Sequence, residues 1–273
     1  MATATKNRPY RELARFYDRL IPGVPEMNRH AREKVLGRDL RGARSACDLA
    51  CGSGDTALDL ARRGLDVQAV DLSLGFCRTV RERARRAGAR VRVTRGDMRS
   101  FRLKEPVDLL LCEFAALNNL DRREDLGKVF RGVARALRPG GTFAFDVNTP
   151  HSFATQIPRG EWMEQPDFKL VMHGTVEDGG FRVPLHLEWF LPERGRFRHV
   201  RETIVHVCWT EAEIRRELRA AGFGKIETFD GADVRPKSMG TPRGTDLYFV
   251  ATRTFATRSA RLPFKSHARI TTS

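Results

Sequence analysis

No run of apolar residues in this chain approaches the roughly 20 needed to cross a bilayer as a helix, so a helical membrane span is excluded as its organising feature. The opening residues, Met-Ala-Thr-Ala-Thr-Lys-Asn-Arg, contain no hydrophobic segment, and no signal peptide is expected. Cysteine is scarce: Cys47, Cys51, Cys77, Cys112 and Cys208 are odd in number, scattered and without a Cys-x-x-Cys pair. That spacing argues against a disulfide framework and for a reduced, cytoplasmic protein. No tight His/Cys/Asp cluster has metal-ligand spacing, so no metal is expected. Acidic residues are missing from 256–273, which reads as a basic, poorly ordered tail. Internal repeats are absent as well.

Charge, by contrast, is abundant and one-sided, with 49 Lys and Arg against 34 Asp and Glu, a formal net charge of +15. A polyanionic partner such as RNA is one reading. Solvated arginine faces are the other, and the spread of arginines along most of the chain favours it. With 273 residues, 41% of them hydrophobic, the chain can form one large α/β domain with an insertion or two small domains.

The segment 8–20 places Leu13, Phe16, Tyr17 and Leu20 at helical spacing. Pro-Gly-Val-Pro at 22–25 stops that helix, and a second follows near Glu26 to Leu36. Next, Ser45 to Ser73 reads as strand, glycine turn, helix and a second strand ending in an acid. Gly52 and Gly54 leave no Cβ where a ligand would press on the backbone. Asp71 closes the second strand, placed to accept hydrogen bonds from ribose hydroxyls. Ser73 caps a helix running to about Ala87. Further strands are expected at 91–94, 107–114 and 142–148, with a helix near Arg123 to Leu137 that Arg138-Pro-Gly-Gly ends.

Apolar strands alternating with helices imply a parallel sheet covered on both faces. Ligands bind such sheets outside the carboxyl ends of the strands, where Asp48, Gly52, Asp71, Asp97 and Glu113 all fall. After the fifth strand the period changes to two. Three antiparallel strands are expected, roughly 168–176, 182–191 and 196–208, as an insertion. A capping box, Thr210 with Glu213, then starts a helix, and strands near 226–229 and 247–252 complete the sheet.

The run Asp48-Leu-Ala-Cys-Gly-Ser-Gly54 resembles the glycine motif of class I S-adenosylmethionine-dependent methyltransferases, with Ala50 where a first glycine is frequent. The likeness continues through Asp71-Leu72, Gly96-Asp97-Met98, the strand Leu109 to Phe114, and Leu137-Arg-Pro-Gly-Gly. The first helix and Phe145-Asp-Val-Asn-Thr-Pro-His resemble a bacterial branch of these enzymes that carries an antiparallel insertion after strand five. The resemblance implies a Rossmann-like, doubly wound, mostly parallel seven-stranded sheet with an antiparallel β insertion and an N-terminal helical cover. It divides the chain into that cover (1–42), a cofactor-binding core (43–150), the insertion (151–209), the rest of the core sheet (210–255) and the tail (256–273).

It also implies roles. Ala50, Cys51, Gly52 and Gly54 would let the backbone approach the methionine part of S-adenosylmethionine, with Asp48 near its amino group. Asp71 would take the ribose diol and Leu72 the adenine face. Asp97 would accept from the adenine amino group, with Met98 packed on the ring. Glu113 and Phe114 would line the cleft, and Tyr17 would close over the methionine end. A nicotinamide-dependent oxidoreductase is the rival outside this class. Its pyrophosphate would sit on the helix start that Asp55 occupies, and a carboxylate there repels phosphate.

For the acceptor the residues leave more than one reading. His151, after strand five, is a candidate base or a solvent-facing loop histidine. Asn118 and Asn148 are candidates to orient an acceptor, whereas Asn119 reads as a helix cap. His186, with Glu188, His199 and Arg201, faces an acceptor pocket or forms the wet side of a half-buried sheet. No Asn-Pro-Pro-Tyr-type stretch follows strand four, where nucleic-acid amino methyltransferases often grip a base amine. The expected activity is methyl transfer to an N or O atom of a small molecule, with an RNA or protein acceptor as the alternative. The expected assembly is a monomer or a homodimer through the insertion.

Overall fold

The computed structural model describes residues 11–20, 22–156 and 160–255. The expected tail, 256–273, lies outside them. The chain builds a seven-stranded sheet in the order β10-β11-β5-β4-β1-β2-β3. Its strands are β1 (Ser45–Leu49), β2 (Asp66–Asp71), β3 (Val91–Arg95), β4 (Val107–Cys112), β5 (Leu137–Asn148), β10 (Phe223–Asp230) and β11 (Asp246–Arg253). The first five are parallel, and β11 runs antiparallel to both β5 and β10.

Strand alternation sorts the core into two layers. Cys47, Leu49, Leu110, Phe143 and Phe145 face α5 (Arg123–Ala136) and α7 (Glu211–Ala220), where Phe130, Leu126, Ile214 and Leu218 meet them. Ala46, Val67, Leu109 and Leu111 face the other way, onto α2 (Val24–Gly42), α3 (Asp55–Arg62) and α4 (Leu74–Arg86) through Leu36, Leu40, Leu60 and Val80. Both faces are therefore dry, and every parallel strand sends its carboxyl end to the same open rim. The capping box at Thr210 forms as expected, and Ser73 caps α4.

Three boundaries differ from the sequence reading. Helix α2 runs to Gly42 rather than Leu36, because Leu40 reaches the core and Ala43 N–H closes on Asp39 O. β5 begins at Leu137, whose pairing with Val107 precedes the glycine bend. The insertion holds four strands, β6 (Glu161–Gln165), β7 (Phe168–Gly174), β8 (Arg182–Glu193) and β9 (Arg196–Val207), in that order. β6 escapes sequence reading because it is an edge strand of Glu-Trp-Met-Glu-Gln, with Trp162 exposed and only Met163 half-buried against the insertion cluster.

The insertion sheet has its own apolar cluster, made of Phe168, Leu170, Leu187, Trp189, Leu191 and Ile204. These residues close around Phe16 of α1 (Leu13–Leu20) rather than on the seven-stranded sheet. Phe16 lies 4.6 Å from Phe168 and 5.3 Å from Trp189, ring centre to ring centre.

Candidate functional site

A cavity of about 270 Å³ opens at the carboxyl ends of β1 and β4, under the N-terminal helices. Its floor is Asp48, Ala50, Cys51, Gly52 and Ser53, its far wall Thr56, Glu113 and Phe114, and its roof Tyr17, Asp18, Pro22, Pro25 and Asn28. Backbone conformation shapes this floor. Ala50 (φ 59°), Gly52 (φ 50°) and Gly54 (φ 87°) turn the chain sharply between β1 and α3, and Phe114 and Ala115 (φ 60° and 51°) do the same after β4. A left-handed backbone costs roughly 1 kcal/mol or more for a non-glycine residue, so its concentration at one rim marks a functional loop. Gly54 carries a second constraint, since a Cβ there would lie 2.7 Å from Val80 Cγ2.

Asp71 is buried, and both of its oxygens serve this loop. Oδ2 accepts from Gly52 N–H at 2.9 Å and Oδ1 from Ser73 N–H at 2.7 Å. Burial pushes its carboxyl up, against the pull of those two bonds. Asp48 accepts from Ala57 N–H at 2.9 Å, which ties β1 to the first turn of α3. Its carboxyl is pushed up to about 8 by burial and by the neighbouring Glu113.

Glu113 anchors a buried polar network. Its Oε2 accepts from Arg32 Nη1 and from Thr56 Oγ1, both at 2.6 Å, while Arg32 Nη2 reaches Asp59 at 2.8 Å. The Arg32 side chain is 1% exposed, so α2 is fastened to the rim through a desolvated ion pair. Removal of Arg32 would leave Glu113 without its cation, whereas removal of Glu113 would leave Arg32 on Asp59 alone. Behind Glu113, Asp146 accepts from Ala115 N–H at 2.9 Å and so holds the second left-handed turn. Burial pushes the Asp146 carboxyl up to about 7, although Arg235 opposes the shift.

Seven of the residues expected to touch the cofactor line this cavity: Tyr17, Asp48, Ala50, Cys51, Gly52, Glu113 and Phe114. Gly54 and Asp71 support its floor from behind. Leu72 is 51% exposed beside it. Asp97 is engaged by Arg99 at 2.6 Å, and that guanidinium holds its carboxyl below the usual range. Met98 packs at the margin of the core.

The acceptor candidates do not gather at this cavity. Asn118 is buried and donates to Val207 O and Asn148 O, at 2.7 and 3.1 Å, while its Oδ1 accepts from Asn148 N–H at 2.9 Å. Its amide is spent joining the loop after β4 to β5 and β9, which places Asn148 backbone, not side chain, in that joint. Asn119 bonds Ala116 O rather than capping α5. His151 is exposed in the first turn of α6 (Pro150–Gln156). His186 lies on the outer face of the insertion sheet, 3.0 Å from Thr203 Oγ1, across the sheet from the Phe16 cluster.

Sequence reading passed over Asn28, Arg32, Thr56 and Arg83. The first two stand four apart on α2, beside buried Met27 and Ala31, and share one face of that helix.

The donor set suits S-adenosylmethionine. Its methionine end carries an ammonium, a carboxylate and a sulfonium and no phosphate. The cavity offers carboxylates (Asp48, Glu113), one lining guanidinium (Arg83), backbone bared at Gly52, and Asn28 Oδ1, which is buried without a hydrogen-bond partner among the described residues. Asp55, at the α3 start, is held by Arg83 and Ser53, so a carboxylate occupies the place where a dinucleotide pyrophosphate would need N–H groups.

A parallel sheet ending in an antiparallel β11, a glycine loop after β1 and an acid closing β2 define the class I methyltransferase fold. Residues 46–141 match a family model described as a methyltransferase domain, and the chain is an S-adenosylmethionine-dependent methyltransferase. It is 26% identical to the dTDP-3-amino-3,4,6-trideoxy-alpha-D-glucopyranose N,N-dimethyltransferase of Streptomyces venezuelae, over 69% of this chain and 78% of that one. In fold it is similar to an S-adenosylmethionine-dependent methyltransferase from Clostridium acetobutylicum ATCC 824 (TM-score 0.75, 19% identity, 90% of this chain and 99% of that one). It is also similar to the sugar N-methyltransferase KedS8 from Streptoalloteichus sp ATCC 53650 (TM-score 0.69, 21% identity, 93% and 96%).

Proposed function

We propose that this enzyme methylates an amino nitrogen of a small, polar molecule of the amino-sugar kind. The observation that carries this reading is that, among the described residues, the cavity wall is rich in hydrogen-bond acceptors: Asp18, Asp48, Asp55, Glu113 and the Asn28 carbonyl oxygen, with Arg83 shared between Asp18 and Asp55 and Arg32 behind Glu113. Such a wall suits the N–H donors of an amine and disfavours anionic acceptors. Similarity to enzymes named for amino-sugar N-methylation supports the same class.

When bound, S-adenosylmethionine supplies an electrophilic methyl group on a sulfonium. The protein's share is alignment, exclusion of water and management of one proton. On this reading Gly52 and Gly54 keep the floor open, while Ala50 and Cys51 form its edge. Asp48 and Glu113 hold the methionine ammonium, and Arg83 with the loop N–H groups faces its carboxylate. The remaining lone pairs of Asp71 take the ribose hydroxyls. Leu72, Asp97 and Met98 form the adenine end. Phe114 and Tyr17 cover the sulfonium. The acceptor must reach the cavity as a free amine, and His151 is assigned to take the proton shed there. His151 is exposed, so buffer shares that task, and His151→Ala should slow turnover by less than about tenfold.

The test is a survey of amines against matched alcohols and of amino sugars against tRNA, with labelled methyl donor. Label entering amino sugars supports the reading. Label entering only alcohols or tRNA sinks it.

A further inference from the structure

Glu202 of β9 is a buried carboxylate with an unusual task. It is 3% exposed, and it reaches out of the insertion sheet to the start of α1. Its Oε1 accepts from Arg11 N–H at 2.6 Å and Glu12 N–H at 2.9 Å, and its Oε2 accepts from Leu13 N–H at 3.1 Å. Trp189 Nε1 donates to the same Oε2 at 3.0 Å. A carboxylate that satisfies three N–H groups of one helix start also complements the helix dipole, and charge-assisted bonds of this kind are about twice as strong as neutral ones.

The helix so held has two consecutive aromatics with different partners. Phe16 is enclosed by the insertion cluster. Tyr17 lines the cofactor cavity, edge-on to Phe76 at 5.2 Å and to Phe114 at 6.4 Å. Outside the Phe16 cluster, α1 is tied to the insertion by the paired bonds of Arg19 to Asp167, both 2.8 Å. On the parallel-sheet side α1 packs on α4, with Tyr17 edge-on to Phe76 and an ion pair of Asp18 with Arg83 at 3.5 Å. Helix α1 thus bridges the insertion sheet, through Phe16, Arg19 and its capped start, and the cavity, to which it presents Tyr17.

We infer that Glu202 is a positioning residue for the cofactor, which sets Tyr17 over the cavity from the α1-facing side of the insertion sheet. Among the described residues, no side chain of the insertion lines the cavity. Its sheet acts on the site through α1, and Glu202 is the contact that fixes the helix start. The inference concerns cofactor retention and holds whatever the acceptor is.

The experiment uses the full chain and S-adenosylhomocysteine as the calorimetric probe. Glu202→Gln keeps the shape but places an amide against N–H donors, and affinity should fall roughly tenfold. Trp189→Phe keeps the apolar fill, removes one bond to Glu202 and should give a smaller loss of the same kind. Hydrogen exchange should quicken in 11–20 while β1, β4 and β5 keep their protection. In a Tyr17→Leu background, Glu202→Gln should cost almost nothing more, because the route to the cofactor is already cut. Affinity within twofold of wild type in both Glu202→Gln and Trp189→Phe would overturn the inference. So would a full loss that persists in the Tyr17→Leu background, or exchange that rises across the parallel sheet. Should Glu202→Gln not fold, Trp189→Phe alone, with and without Tyr17→Leu, decides the matter.

Discussion

Asp146 holds Ala115. One oxygen of a fully buried carboxylate at the end of β5 accepts the Ala115 N–H at 2.9 Å, and Ala115 with Phe114 forms a left-handed pair at the lip of the cofactor cavity. The same carboxylate faces Arg235 after α8 (Gly231–Val234), at 3.9 Å, and Arg235 is shared with Asp246 at 2.9 Å. The strained turn beside the cavity is thus backed by Asp146 and by a guanidinium between α8 and β11, more than a hundred residues further along the chain.

Asp146 and Asp48 give stability a pH dependence with a definite sign. Their carboxyls are pushed up to about 7 and about 8, both chiefly by burial. An acid raised above its unfolded value stabilises the fold most when both states are protonated, and that contribution is lost as pH rises through the folded value. Each therefore favours the ligand-free protein below about pH 4 and loses that effect by pH 7 to 8. Asp146→Asn should flatten the fall of melting temperature between pH 4 and 8 relative to wild type. A mutant whose pH profile runs parallel to the wild type would show that Asp146 is not the titrating group.

Asp71→Ala should weaken S-adenosylhomocysteine binding by at least roughly tenfold, since it removes the acceptor for Gly52 N–H and Ser73 N–H together with the ribose partner. Asp71→Asn retains one acceptor oxygen and should fall between. Calorimetry checks both, and unchanged affinity in Asp71→Ala would remove the assignment.

Asn118→Ala separates a structural joint from an acceptor site. The substitution leaves Val207 O and the Asn148 backbone without their partners, and should cost about 2–3 kcal/mol in chemical denaturation. The KM for the acceptor should change by less than about twofold in the fraction that folds. A large rise in KM with undiminished stability would return Asn118 to the acceptor site.

Gly54→Ala should destabilise the protein by about 2 kcal/mol, from the left-handed backbone and from overpacking against Val80. Val80→Ala in the same chain should recover part of the loss, because the methyl groups in the way are gone. Denaturant midpoints of the two single variants and the double variant decide this.

Much of the site was legible because it is local. Asp48, Gly52 and Gly54 sit within one turn, and Asp71 closes the next strand, so spacing along the chain is nearly spacing in space. Ala50 also belongs to this set: its φ of 59° lies in the left-handed region that favours glycine. Arg32 and Asn28 were not legible. Their partners, Glu113 and the cavity, lie far along the chain, and nothing in the α2 sequence alone distinguishes a buried arginine from the many solvated ones. His186 and Asn118 misled for a related reason. A polar residue near a rim or on an alternating strand has two faces available, and only packing chooses between them.

The sequence by itself determined the βαβ order, the glycine loop, the acid after β2 and with them the methyltransferase class, since these rest on backbone conformation and short-range spacing. The tertiary structure alone decided that the insertion closes on Phe16 instead of on the cavity, that Glu202 caps α1, and that Asp146 secures Phe114 and Ala115. Those relations join residues 31 to 191 positions apart. They depend on which face of each strand is turned inward, and that is settled only when the layers pack.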